Sequence, residues 1–220
     1  MRRGFSLIEL VFVIVIMAGI FAVIPKILTA AARSNTFTAR QDAMFHAISL
    51  TQLASTLPWD ENNTVTIDIL DTQGDSAFDC NTTTHIRRGG FLSQNGRRCT
   101  QAYAASVLGS DSGEDDYTLY DDLDDFSGNT IEANTTSGKR RYRLYPGVVY
   151  LSDGATVFSE SGDTLTIDLS VAVTSAVTTN IKRLKTVAAY AGKRGKEHNI
   201  TSFVYYSTNI GQFTLARRSW

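Results

Sequence analysis

The stretch RRGFSLIELVFVIVIMAGI, Arg2 to Ile20, decides how the rest of the chain is read. It is apolar enough to cross a membrane or to act as a disposable signal. Yet it carries a carboxylate, Glu9, near its start, and two arginines and a glycine stand before it. The apolar run extends to about Leu28, at the end of PKIL. At about 1.5 Å per residue it can cross a bilayer core of about 30 Å. A secretory signal peptide has a shorter apolar core followed by a small-residue cleavage site, which AGIFA and LTAAA imitate. Two features count against that reading. A charge at the membrane centre costs about 2.5–3.5 kcal/mol, so Glu9 is expensive in a mere signal. The helical texture also continues beyond the run, through AARSNTFTARQDAMFHAISLTQLASTL to Leu57.

Arg2-Arg3-Gly4 followed by Phe5-Ser6-Leu7-Ile8-Glu9 resembles the processing site of type IV prepilins and type II secretion pseudopilins. The resemblance covers about the first 25 residues. It implies that a prepilin peptidase cuts the Gly4–Phe5 bond on the cytoplasmic side and that Phe5 is then N-methylated. It also implies that Glu9 pairs with the Phe5 amine of a neighbouring subunit during filament assembly. The physics is compatible. Arg2 and Arg3 hold the leader inside by the positive-inside rule. Gly4 gives a protease close access to the backbone. Left alone, Glu9 is an uncompensated charge, and a partner amine would relieve it. The plainer alternative puts Glu9 at headgroup depth with little to do. Family members often carry a helix-loosening proline, and Pro25, shortly after Gly19, stands at about that depth. Gly19 to Pro25 is therefore expected to loosen when the helix moves from lipid into a filament.

The following segment, about Ala30 to Leu57, shows two apolar stripes at helical spacing. Phe37, Met44 and Ile48 form one; Leu50, Leu53 and Leu57 lie roughly opposite. Pro58 stops the helix. From Trp59 the period becomes two. TVTIDIL at Thr64–Leu70, YRLYPGVVYL at Tyr142–Leu151 with its Pro-Gly interruption, and TLTIDLSVAV at Thr164–Val173 read as strands. In the last, Leu165, Ile167, Leu169, Val171 and Val173 share one face. Ile181–Tyr190, Asn199–Tyr206 and QFTLARRSW follow, joined by connectors such as AGKRGKEH and STNIG. The predicted fold class is α+β: a long N-terminal helix, half transmembrane and half packed on the head, with a C-terminal antiparallel β-sheet head. The expected divisions are residues 1–4 as leader, 5–33 as transmembrane assembly helix, 34–57 as head-packed extension and 58–220 as head.

Length and charge set limits on function. The chain has 220 residues and a formal net charge of −1, so no broad attraction to nucleic acid is expected. The charge is unevenly placed. SDSGEDDYTLYDDLDDF at Ser110–Phe126 is acidic, while KRRYR at Lys139–Arg143 and the span Lys182–Lys196 are basic. Within the acidic block Asp121, Asp122, Asp124 and Asp125, with a nearby glycine, are candidate ligands for Ca²⁺, a hard oxygen-seeking ion. The spacing is not that of an EF-hand, and a solvated acidic face is the alternative; no other cofactor is expected. DDLDDFSG at Asp121–Gly128, PWDEN at Pro58–Asn62 and the pair IKRLKTV and ITSFVYYSTNIG also resemble minor pilins of the mannose-sensitive haemagglutinin type.

Cys80 and Cys99 are expected to form a disulfide if the head faces an oxidising compartment, with two free buried thiols as the alternative. A zinc site would need further ligands, and His46, His85 and His198 show no metal spacing. Asn62, Asn81, Asn134 and Asn199 each open an Asn-x-Ser/Thr acceptor and each follow an acid by two positions, so all four are candidate glycosylation sites. No GxSxG, HExxH or phosphate loop is present, and no enzyme activity is expected. The resemblance implies a structural, minor subunit of a type IV pilus or pseudopilus. It would be single-pass in a bacterial inner membrane, with a periplasmic head, before it enters a filament at or beyond the cell surface. Its partners would be other pilin or pseudopilin subunits, the prepilin peptidase and the assembly platform. A DNA-uptake pilin, with KRRYR as a basic-aromatic strip, or an adhesin is the alternative. A charged strand edge that resists aggregation accounts for KRRYR equally well.

Overall fold

The structure is a computed structural model. It describes residues 6–62, 70–76, 81, 83–84, 86–87, 97–98, 104–134, 141–154, 157–161, 164–191 and 197–209. Gly4, Phe5, Cys80, Cys99, most of the strand expected at Thr64–Leu70 and the tail QFTLARRSW lie outside the described residues.

One helix, α1, runs without a break from Leu7 to Thr56. Its apolar part meets most of the requirement that lipid imposes, because helical pairing serves its backbone groups apart from the carbonyl one turn before Pro25, which has no N–H to donate. Hydroxyls follow the same rule. Thr29, Thr36 and Thr38 donate to the carbonyls of Lys26, Arg33 and Ser34 at 2.9, 2.8 and 3.0 Å. Gly19 and Pro25 both lie inside the helix, so the free chain is helical through the segment expected to loosen on assembly. The helix ends two residues before Pro58, as the restriction on a pre-proline residue dictates.

The chain divides into two compact units, residues 1–42 and 43–220. In the first, the large side chains from Leu7 to Leu28 are exposed around the whole helix, and the most apolar window contains no buried residue. This helix has the length and composition to cross a membrane.

The second unit is built on a four-stranded antiparallel sheet of order β3-β4-β7-β8. Its strands are β3 (Ile131–Asn134), β4 (Arg141–Leu151), β7 (Ile181–Ala191) and β8 (Glu197–Thr208). Two small antiparallel pairs complete the described strands: β1 (Ile86–Arg87) with β2 (Arg97–Arg98), and β5 (Phe158–Ser161) with β6 (Thr164–Ile167). The α+β architecture read from the sequence is the one observed. β4 alternates as expected: Tyr142, Leu144, Val148 and Tyr150 are buried on one face. Its Pro-Gly pair does not interrupt it, since Pro146 faces Thr186 and Gly147 faces Lys185 in register. β3 pairs only as far as Leu144, so Pro146 sits where β4 has a free edge among the described strands, a place that tolerates a missing donor.

Two expectations are corrected. TLTIDLSVAV is strand only to Ile167. The Asp168 carboxylate accepts from the backbone N–H and hydroxyl of Ser170, at 2.9 and 2.5 Å. This local turn replaces the ladder, and Val171 and Val173 end up exposed. The second correction concerns α1. Its buried face within the head is Ala43, Ala47, Leu50 and Ala54, packed with Tyr142, Leu144, Leu184 and Ala188. Met44 and Leu53, each placed in an apolar stripe above, remain 44% and 40% exposed. Leu50 and Leu57 of the second stripe do pack into the core, while Leu53 does not; alanines complete the face and let the helix backbone lie close to the sheet. The Thr51 hydroxyl meets that of Thr186 at 3.1 Å across the same seam.

Ala47 is fully buried in this seam. Ala47→Leu should therefore destabilise the head by about 1–3 kcal/mol through overpacking. Phe45→Ala, at a 66% exposed position, should leave head stability nearly unchanged. Thermal unfolding of the detergent-solubilised variants checks both.

Candidate functional site

On the core face of β7, Lys182 occupies the same side as Leu184, Thr186 and Ala188, and its side chain is completely buried. Its ammonium donates to the Trp59 carbonyl at 2.7 Å and to Asp60 Oδ2 at 3.2 Å, and contacts Asp124 Oδ1 at 2.5 Å. The Trp59 ring lies 3.7 Å from it. Asp60 and Asp124 are themselves buried. Ser106 bridges them: its hydroxyl lies 3.1 Å from Asp60 Oδ2 and 2.8 Å from Asp124 Oδ2, and its N–H donates to Asp60 Oδ2 at 2.9 Å. One buried cation thus faces two buried carboxylates.

Around this centre the acidic segment folds inward. Asp124, Asp125 and Phe126 form a short 3-10 turn, with Phe126 edge-on to Tyr120 in the core. Asp122 caps the turn, accepting from the N–H groups of Asp124 and Asp125 at 2.6 and 3.3 Å and from that of Glu61 at 2.5 Å. Asp125 accepts from the N–H groups of Asp121 and Asp122 at 3.0 and 3.1 Å. Gly128 leaves the turn at φ 80°, a conformation that favours glycine.

The four aspartates named above as calcium candidates therefore do not form one site. Asp124 faces Lys182, Asp122 serves backbone amides, and only Asp121 is exposed. The described residues do gather Glu114, Asp121 and Asp125, with carboxylate oxygens within 4.8 Å of one another. Hard cations favour such groupings, but acidic loops also form them without an ion.

Burial pushes the Asp122 carboxyl up to about 8, helped by the charges of Asp124 and Asp125. Burial likewise raises Asp124, against the pull of the Lys182 charge, and takes Asp125 to about 7. Glu61 also rises to about 7, first through a hydrogen bond shared with Asp111.

The remaining predicted residues are dispersed. Glu9 is exposed in the first turn of α1, its N–H donating to the Ser6 carbonyl at 3.0 Å. The side-chain amide of Asn62 donates to the Ala104 carbonyl at 3.0 Å. Asn81 is exposed and its carbonyl accepts from the N–H groups of Thr83 and Thr84, both at 2.9 Å. Asn134 ends β3, and Asn199 is exposed in β8. Sequence reasoning missed Lys182, Asp60, Ser106 and Trp59 as a unit. The available signal was the alternation of β7, which places a lysine among core positions.

No family model, no curated protein and no solved structure matches this chain. The geometry and the sequence motifs therefore carry the functional argument alone.

Two outcomes follow. The raised carboxyls bind protons more tightly folded than unfolded, so the folded state holds more protons between about pH 4 and 8. Stability of the head should then fall as pH rises through that window, with the buried Asp122 contributing more than the water-facing Glu61. Thermal melts at pH 5 and pH 8 test the sign. Lys182→Ala strands two buried carboxylates and should cost about 3–5 kcal/mol by denaturant unfolding.

Proposed function

We propose that this chain is a structural subunit, of the minor kind, of a type IV pilus or type II secretion pseudopilus. The observation that carries this reading is the exposed apolar helix from Leu7 to Leu28, in which Glu9 is the one charged residue before Lys26, directly behind the Arg2-Arg3-Gly4-Phe5 motif. An apolar surface of this extent requires a cover. Lipid supplies it before assembly, and the helices of other subunits supply it afterwards. Glu9 gives the exchange a direction: in lipid its charge has no partner, whereas a neighbouring Phe5 amine, freed by cleavage after Gly4, pairs with it.

The head contributes shape and durability. The turn after α1, the sheet and the acidic turn meet at one buried ionic centre, which suits a subunit whose work is to be stacked. On this reading the chain is single-pass in the inner membrane with a periplasmic head. Prepilin peptidase and an assembly platform act on it before it joins other subunits.

N-terminal sequencing of the membrane-purified chain should begin at Phe5, carrying one added methyl group. Glu9→Gln should insert and be processed normally, yet be lost from the sheared filament fraction by at least tenfold. Normal recovery of the Glu9→Gln chain in filaments would remove the pairing role.

A further inference from the structure

The buried centre holds an amine nitrogen and a carboxylate in contact, out of water. The Lys182 nitrogen stands 2.5 Å from Asp124 Oδ1, and this approach lacks hydrogen-bond geometry. Both side chains are shielded from solvent, at 0% and 2% exposure. A second carboxylate, Asp60, holds the same nitrogen at 3.2 Å. The Ser106 hydroxyl reaches the other oxygen of Asp124 at 2.8 Å, and the Trp59 ring covers the nitrogen at 3.7 Å. We propose that Lys182 and Asp124 condense to an intramolecular amide bond, with Asp60 as the proton carrier.

The step balances without any co-reactant. An ammonium and a carboxylate together contain the atoms of one amide and one water. Lys182 passes a proton to the Asp124 carboxylate that it touches, leaving a neutral amine and a neutral acid. The nitrogen then attacks Asp124 Cγ, and a C–N bond forms. Asp60 takes a second proton from that nitrogen and delivers it to the departing hydroxyl. The C–O bond breaks, water leaves, and Asp60 is again a carboxylate. Ser106 donates to the oxygen that remains on Cγ, where negative charge gathers during the attack.

Two physical terms favour the step. The fold holds both reactants in contact, which replaces a bimolecular encounter by an intramolecular one. The dry setting also penalises the ion pair, and condensation removes both of its charges. A carboxylate placed to take and return a proton supplies the acid–base assistance. The product would join β7 covalently to the turn at the end of the acidic segment. Load applied to the head would then pass through a bond rather than through a buried salt bridge.

The test is the intact mass of the full chain, purified from membranes in detergent and reduced, read against the polypeptide with its own N-terminus. The expected mass is lighter by one water. Peptide mapping should then give a branched peptide that joins the segments containing Lys182 and Asp124. Full polypeptide mass in folded protein overturns the proposal. So does a lost water that maps elsewhere, for example to a cyclic imide at Asp153-Gly154. Asp60→Ala should fold with the full mass and no branched peptide. A folded Asp60→Ala chain that still carries the branch overturns the role given to Asp60. If that variant fails to fold, the wild-type mass and map decide alone.

Discussion

A single buried ammonium organises the head. Lys182 projects from the inner face of β7 into a place that would otherwise hold an aliphatic side chain, and a charge there requires partners. Asp60 arrives from the turn that ends α1, and Asp124 from the acidic segment. Ser106 joins the two carboxylates from a third segment. Four stretches far apart in sequence are thereby fixed to one point. Apolar packing of α1 against β4 and β7 supplies the bulk of the core, but apolar packing tolerates sliding. The ionic centre tolerates little, because any displacement leaves a buried charge without its partner.

The two units show opposite solutions to the problem of apolar surface. In the head, the helix turns small residues toward the sheet, and Ala43, Ala47 and Ala54 vanish from the surface. From Leu7 to Leu28 the large residues stand in the open on every side. The first arrangement is complete within one chain. The second is not, and its cover must come from outside. The proposed function rests on that asymmetry between a head with its own buried core and a helix whose large apolar side chains are exposed.

Much of the architecture was legible from residue order. The apolar run, the stop at Pro58 and the strands at Tyr142–Leu151, Ile181–Tyr190 and Asn199–Tyr206 follow from periodicity and backbone restriction, and the structure has them. Failures came where a local side chain or a close approach outweighed the pattern. Asp168 captured Ser170 and ended a strand whose alternation looked the clearest in the chain. In the helix–sheet seam Leu50 and Leu57 follow the apolar pattern, but alanines rather than Leu53 fill the rest of the face, because the backbones approach closely there. The acidic segment reads from its composition as calcium ligands or as a solvated face, since a run of aspartates normally remains hydrated or meets a cation. Its burial depended on a lysine almost sixty positions later, invisible to any local window.

Sequence alone therefore determined what depends on neighbours along the chain: the length and apolarity of the first helix, the motif before it, the place of Glu9 and the alternation of the main strands. These are set by backbone geometry and by transfer of side chains from water, and both act locally. Only the tertiary structure decided which face of α1 is hidden and what the aspartates do. Burial of charge is a collective property. Asp60, Asp124 and Lys182 would each be too costly to bury alone, and become tolerable inside only when the fold brings all three together.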